Sequence, residues 1–429
     1  MNTSPTPRRV RVDGRTRNVG PSPLLEPTEF WTTAWVEAME QHGTRATDDA
    51  RRLDLAPVTI AVDGEAFTLS VGSEGIAVRQ GVDRSAPRIT LNRSAFSDLM
   101  NERRTALGLV IGGRTDGDPQ ANALLCAWDP VLRSVIDGRG VYRSGDIDLC
   151  ASDGSPLNLH QRFRLDEDTA SSANFLREAG YMLIEGVFTQ SEMDAIDADL
   201  DRAVADAHVD DGASWWASTR SGDSYPCRLL GFTAASPALR DLIADTRFLE
   251  IGDLLGEGHT PGDPFGEHFS SVTAEALIKR VDSVDGFVCL PWHKDCDRGG
   301  HSMFCSGLTI GICLTPVDAA HGGLDVVAGS HRANIARVQA ERGLDLPTVS
   351  LSAQRGDVTV HMSCALHRST HPTTHERRVA YTGFTLPARP GDVPTNDLQA
   401  TLQSERAAIG VAKTSSARLS STERARPHA

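Results

Sequence analysis

Hydrophobic and polar positions change their period twice along the chain. From Glu29 to Leu53 the apolar residues of EFWTTAWVEAMEQHG recur at helical spacing, which predicts a helix. The period then shortens. VTIAV (58–62), AFTLSV (66–71) and GIAVRQ (75–80) are runs of β-formers separated by Asp-Gly and Ser-Glu-Gly, residues typical of hairpin connections. RITL (88–91) predicts a fourth strand. Asn92 then caps a helix with Phe96, Leu99 and Met100 on one face. ALGLVIGG (106–113) and ANALLCAWDPVLRSVI (121–136) complete a compact α+β unit.

A polar, Gly/Ser-rich stretch follows and predicts a linker. Beyond it ASSANFLREAG (170–180) reads as helix and YMLIEGVF (181–188) as strand. A second helix starts from a Thr189/Ser191 cap. From about residue 270 the chain becomes short strands with glycine turns: EALIKRV, FVCLPWHKD, GLTIGICLTPV, GGLDVVAGS, GDVTVHMS and RRVAYTGFTLPA. Such a series predicts a jelly roll. The expected organisation is a disordered tail (1–25), an α+β domain (26–140), a linker (141–160), a mainly β jelly-roll domain with flanking helices (161–392) and a polar tail (393–429).

Composition narrows the partners. The net charge of -14 and pI near 5.4 leave no basic face for a nucleic-acid backbone. No run approaches the ~18 apolar residues of a membrane span. The Arg-, Ser- and Pro-rich start lacks the apolar segment of a secretory signal. Eight cysteines without a C-x-x-C pair read as free thiols, which predicts a cytoplasmic protein.

Candidate chemistry centres on PWHKDCD (291–297). Alternation along a strand turns His293 and Asp295 to one face and Lys294 to the other. The pair alone is more often a polar strand end than a metal site. A metal site needs a third ligand, and His301, His321, His331, His361, His367, His371 and His375 all follow it. Two histidines and one carboxylate would leave open positions on Fe(II) for a cosubstrate and O2. A 2-oxoglutarate carboxylate needs a cation, and Arg377 and Arg378 open the strand RRVAYTGF, where alternation lets only one face inward. Lys279 or Arg280 on EALIKRV could also meet an anion. Trp292 is expected to face away from the metal pair and pack in a core.

Several stretches in order resemble the phytanoyl-CoA dioxygenase family of Fe(II)/2-oxoglutarate oxygenases. They are FLREAGYMLIEGVFTQSEMDAI, LPWHKD, GGLDVVAGSHR, RGDVTVHMSCALHRST and ERRVAYTGF, spanning about 165–390. The resemblance implies a double-stranded β-helix and makes His293, Asp295 and His367 both the iron ligands and the catalytic centre. It assigns Arg378, eleven residues after His367, to the distal carboxylate of 2-oxoglutarate, with Arg377 as the fallback. Ser369 and Lys279 would also contact the cosubstrate, whereas His361 matches a position that is usually not a ligand. SWWASTRSGDSYPCRL (214–229) falls where the family has variable loops over the site, which makes Trp215, Trp216, Arg220 and Arg228 candidate substrate contacts.

The implied activity is hydroxylation of an unactivated C–H bond of a small molecule, in specialised metabolite biosynthesis. Related halogenases have a small residue in place of the carboxylate, so Asp295 favours oxygen transfer. Desaturation, cyclisation and epoxidation use the same triad and stay open. The order of elements over 30–140 resembles a sterol-carrier-protein-type-two domain. Three roles are open to that unit: holding a ligand, forming a homodimer, or bracing its neighbour. Two readings compete with an oxygenase. One is a silent ligand carrier, and the other is a zinc site using Cys289, Cys296 or Cys305 with His293, whose spacing fits no common zinc pattern.

Overall fold

Asp63-Gly64 shows how the first half folds. Both residues have positive φ (49° and 91°), as a two-residue hairpin turn requires, and Gly64 meets that requirement without strain. The turn joins β1 (Val58–Val62) to β2 (Glu65–Gly72) in antiparallel register, Val62 opposite Glu65. A computed structural model describes residues 24–102, 104–209, 211–262, 274–286, 289–298, 307–336, 339 and 343–385. The expected tails therefore lie outside the described residues apart from Leu24 and Leu25, as do His301 and Cys305.

β3 (Gly75–Gln80), β4 (Arg88–Leu91) and β5 (Thr115–Gly117) complete a five-stranded sheet in the order β3-β2-β1-β4-β5, in which only β1 and β4 run parallel. One side packs on α1 (Trp35–Arg52), α2 (Arg93–Met100), α3 (Ala106–Ile111) and α4 (Pro119–Asp137). Asn92 caps α2 as the sequence predicts, its Oδ1 accepting from the Ala95 N–H at 2.8 Å. Trp31, Phe67 and Phe96 meet in the centre of this core.

In the second half, α5 (Thr169–Ala179) leads into β6 (Tyr181–Ile184). β6 is shorter than predicted because Gly186 (φ 61°) turns the chain. Thr189 and Glu192 form a full capping box on α6 (Gln190–Asp206). The stretch expected as loops is a hairpin, β7 (Ser214–Ser218) and β8 (Ser224–Leu229). Its buried positions Trp215, Ala217, Tyr225, Cys227 and Leu229 alternate, a pattern obscured by the arginines and serines between them. Next come α7 (Pro237–Ile243), α8 (Thr246–Asp253), β9 (Thr260–Gly262), β10 (Glu275–Lys279), β11 (Leu290–His293), β12 (Leu308–Cys313), β13 (Leu324–Val327), β14 (Thr348–Leu351), β15 (Val358–Met362), β16 (His367–Ser369) and β17 (Arg377–Thr385).

These strands form two antiparallel sheets, consistent with a jelly roll. The larger has the order β6-β15-β12-β17-β10-β8-β7, with β9 also on β17, and the smaller has β11-β16-β13-β14. Among the described residues no helix is long and apolar enough to cross a membrane.

The expected linker is fastened down. Val141 and Tyr142 are buried, because apolar side chains there find cores on both sides. The Tyr142 N–H donates to the Asn334 carbonyl (2.7 Å) and its hydroxyl to Asp345 (2.7 Å). Asn334 Nδ2 donates to the carbonyls of Pro130 and Arg139 at 2.8 and 2.7 Å. Asn334→Ala should therefore cost about 1–3 kcal/mol of unfolding free energy, since it removes two part-buried hydrogen bonds of about 0.5–1.5 kcal/mol each. A denaturant titration showing wild-type stability would contradict that role.

Candidate metal centre

Strand pairing brings the histidines together. His293 at the end of β11 stands directly opposite His367 at the start of β16. A register shift between Leu290 and His293 re-aims the end of β11. The ring centroids are 4.2 Å apart. His293 Nδ1 lies 2.7 Å from the Pro291 carbonyl, and His367 Nδ1 lies 2.9 Å from that of Ala365. A carbonyl only accepts, so both Nδ1 atoms carry the proton and both Nε2 lone pairs are left for a ligand.

Asp295 Oδ1 lies 3.7 Å from His293 Nε2 and 3.8 Å from His367 Nε2. One donor atom from each of the three residues falls within 4.8 Å of the others, a spacing one cation can bridge. Burial, then the neighbouring His293 and His361, holds the His367 imidazole well below the usual histidine range, so it stays neutral and available. Among the described residues this metal-ligating group contains no thiolate, which leaves the zinc reading without support.

The second oxygen of Asp295 is held from below. Thr309 on β12 donates to Oδ2 at 2.9 Å, and His361 Nε2 on β15 lies 3.3 Å from it. Register explains this, because Thr309 and His361 are cross-strand partners and share a face. Oδ2 is thus engaged by protein, and Oδ1 alone faces the histidines. Thr309→Val keeps the shape and removes the donor. It should weaken divalent-metal affinity about 10-fold, with Thr309→Ser restoring it. A Co(II) titration giving equal affinities for all three would refute the positioning role.

A pocket partly open to solvent surrounds the triad. Leu277, Leu290, Leu324 and Tyr381 supply its apolar wall, with Ser369 and Arg228 among the polar lining residues. Gly311 makes room for the Tyr381 ring, since a Cβ there would meet Thr359 Oγ1 at 2.5 Å and Tyr381 Cε1 at 3.1 Å.

The arginine assignment needs correction. On β17 the residues facing the pocket are Arg377, Val379 and Tyr381, because alternation places them on one face with the pocket-lining Tyr381. Arg378 points the other way, toward α6, where it pairs with Asp201 (2.7 Å) and Asp197 (3.6 Å) as well as Glu376 (2.7 Å). Arg377 is fully buried. It donates to the Gly322 carbonyl (2.8 Å) and the Tyr381 hydroxyl (2.9 Å), and its Nε has no partner.

Lys279 is the cross-strand partner of Arg377, equally buried, and its Nζ donates to the Thr370 carbonyl at 3.2 Å. Burial, and then Arg377, pushes the Lys279 pKa well below the lysine range. Two adjacent buried cations bonded to carbonyls and a hydroxyl make a site that an anion would complete. Ser369 Oγ, buried in the pocket lining without a partner, is available at the same end.

The other expected residues divide. Arg228 lines the pocket, paired with Glu275, and its guanidinium lies 4.7 Å over the Trp215 ring. Trp215 is part of the core behind it. Trp216, across a register shift, bonds its indole N–H to Ser214 Oγ (2.9 Å), and Arg220 is exposed; neither lines the pocket. Arg280 pairs with Asp282 away from the pocket. Trp292 packs in a small core under Arg368, as expected.

No sequence motif assigns a role to Thr309, Tyr381 or Glu275. Only the alternation E-x-L-x-K on β10 and R-x-V-x-Y on β17 hints at the last two.

Residues 176–380 match the family model described as Phytanoyl-CoA dioxygenase (PhyH). No curated protein sequence matches the chain. Similar solved structures include AviO1 from Streptomyces viridochromogenes Tue57, at 21% identity over 52% of this chain and 97% of that one, with a TM-score of 0.42. Another is SnoK, a non-heme alpha ketoglutarate dependent carbocyclase from nogalamycin biosynthesis (17% identity, 52% and 86%, TM-score 0.40). A third is EctD from S. alaskensis with 2-oxoglutarate and 5-hydroxyectoine (18% identity, 60% and 91%, TM-score 0.42).

Proposed function

Because residues 176–380 form a phytanoyl-CoA dioxygenase family domain, we propose that the protein is an Fe(II)- and 2-oxoglutarate-dependent oxygenase. We assign it hydroxylation of an unactivated C–H bond of a small molecule on a double-stranded β-helix scaffold, in the biosynthesis of a specialised metabolite. The observation that carries this reading is the convergence of His293, Asp295 and His367 donor atoms beside a buried cation pair.

The donor set fits iron. Two neutral imidazoles and one carboxylate offer Nε2, Nε2 and Oδ1, the set used by non-haem Fe(II) oxygenases. The buried, unpartnered Arg377 Nε and Ser369 Oγ fit a carboxylate-bearing cosubstrate. Bound iron with 2-oxoglutarate and O2 supplies the oxidising power, with succinate and CO2 as the by-products.

The protein supplies placement. Arg377 and Lys279 neutralise the distal carboxylate of the cosubstrate, and the approaching negative charge favours the protonated form of Lys279. Ser369 donates to the same group. Thr309 and His361 hold Asp295 with one oxygen forward. Leu277, Leu290, Leu324 and Tyr381 form the apolar wall that limits water beside the reacting C–H bond. Burial keeps the Tyr381 hydroxyl protonated, and it accepts from Arg377.

The test is anaerobic addition of Fe(II) and 2-oxoglutarate, following the visible charge-transfer band, and then admission of O2 with succinate quantified. Tightly held zinc, or no succinate from protein that binds both, would overturn the proposal.

A further inference from the structure

One buried carboxylate beside the pocket is used neither by the metal ligands nor by the cation pair. Glu275 opens β10, opposite Tyr381 on β17, and Leu277 on the same strand stands opposite Arg228 on β8. Cross-strand partners share a face, and so do residues two apart. Glu275 therefore shares a sheet face with Tyr381 and Arg228, which both line the pocket, and stands next to them just outside the lining. It is 5% exposed. Arg228 occupies its Oε2, while its Oε1 is buried without a hydrogen-bond partner. A buried carboxylate oxygen left unpaired is costly, and native structures seldom keep one without a use.

The position of this oxygen indicates what it binds. Lys279 lies four residues further along β10, about 13 Å away at the strand rise. The cation end suits a dicarboxylate, and the Glu275 end repels one. The Glu275 corner is therefore left to the substrate, an assignment that rests on the oxygenase reading for the other end. We infer that Glu275 is a substrate-recognition residue whose Oε1 accepts a hydrogen bond from a hydroxyl group of an uncharged alcohol.

Charge selects the hydroxyl. Arg228 already balances Glu275, so a substrate ammonium would leave a net buried positive charge, whereas a hydroxyl leaves none. The leucines on the wall call for an apolar frame around that hydroxyl. β12, which carries Thr309 beneath the metal ligands, and β10 are two strand spacings apart, about 10 Å. The recognised hydroxyl and the carbon that reacts are therefore several bonds apart, on a ring system or long chain.

Protein loaded with Fe(II) and 2-oxoglutarate is given matched sets of cyclohexane- and decane-based diols, their O-methyl ethers and the corresponding amines, and succinate release is measured. Alcohols should outperform their ethers at least 10-fold and outperform the amines. Glu275→Gln, which keeps the volume and removes the charge, should cut the alcohol-to-ether ratio about 10-fold. The inference is overturned if amines win, if no alcohol outperforms its ether (including a panel in which nothing acts), or if the folded variant keeps the wild-type ratio. The band formed by Fe(II) and 2-oxoglutarate without any alcohol separates the two claims. Its absence from wild-type protein removes the oxygenase reading, while its presence with no alcohol preference removes only this one.

Discussion

His367→Ala abolishes 2-oxoglutarate-dependent succinate formation and lowers Fe(II) affinity by more than 100-fold, whereas His361→Ala lowers affinity only about 10-fold. Loss of an outer-shell partner alone costs about 10–100-fold in metal affinity, and loss of a ligand costs more. The contrast is the informative part, because the two imidazole rings lie with centroids 4.3 Å apart, tilted by 51°, and both approach Asp295. Only His367 Nε2 shares Oδ1 with His293, whereas His361 lies against Oδ2. Asp295→Ala should match His367→Ala. Calorimetric titration with Co(II), alongside succinate quantification, checks all three. Equal losses at positions 361 and 367 would mean that the third ligand has been misassigned.

The second large effect separates neighbouring arginines. Arg377→Met should raise the KM for 2-oxoglutarate by about 30- to 4,000-fold, because truncating one partner of a buried, hydrogen-bonded charge pair costs about 2–5 kcal/mol and each 1.4 kcal/mol is tenfold. Arg378→Met should leave that KM within about threefold. Its partners Asp201, Asp197 and Glu376 lie on the outer side of the sheet, and partly exposed pairs contribute about 0–1 kcal/mol. Steady-state titration of 2-oxoglutarate for both variants decides the matter, and the reverse order of effects would place the anion on the wrong face of β17.

That pair also shows where sequence reading ends. Alternation says that one of Arg377 and Arg378 faces inward, but not which. Parity is set by where β17 starts against β10, and that depends on Lys279 standing opposite Arg377. Local chemistry was far more legible. Asp63-Gly64 marks a turn, Asn92 and Thr189 mark helix starts, and H-x-D marks two side chains whose donor atoms converge, although Asp295 lies past the end of β11. The hairpin of β7 and β8 was obscured because its polar residues mimic a loop. Thr309 carries no local signal, and Glu275 only the alternation of its own strand. Each acts through a partner 14 and 47 residues away respectively, Asp295 and Arg228.

Lys294, the residue between His293 and Asp295, ties the candidate metal site to the N-terminal unit. Its buried ammonium donates to the carbonyls of Ser330 and Ala333 at 3.2 and 3.1 Å, and the next residue, Asn334, holds the first half of the chain through Pro130 and Arg139. The segment that carries His293 and Asp295 and the N-terminal unit are thus fastened to the same short turn. The two halves are not freely exchangeable parts. A chimera that replaces residues 26–140 must also bring a matching 330–346 segment, and whatever that segment changes is felt one residue from both ends of the H-x-D motif.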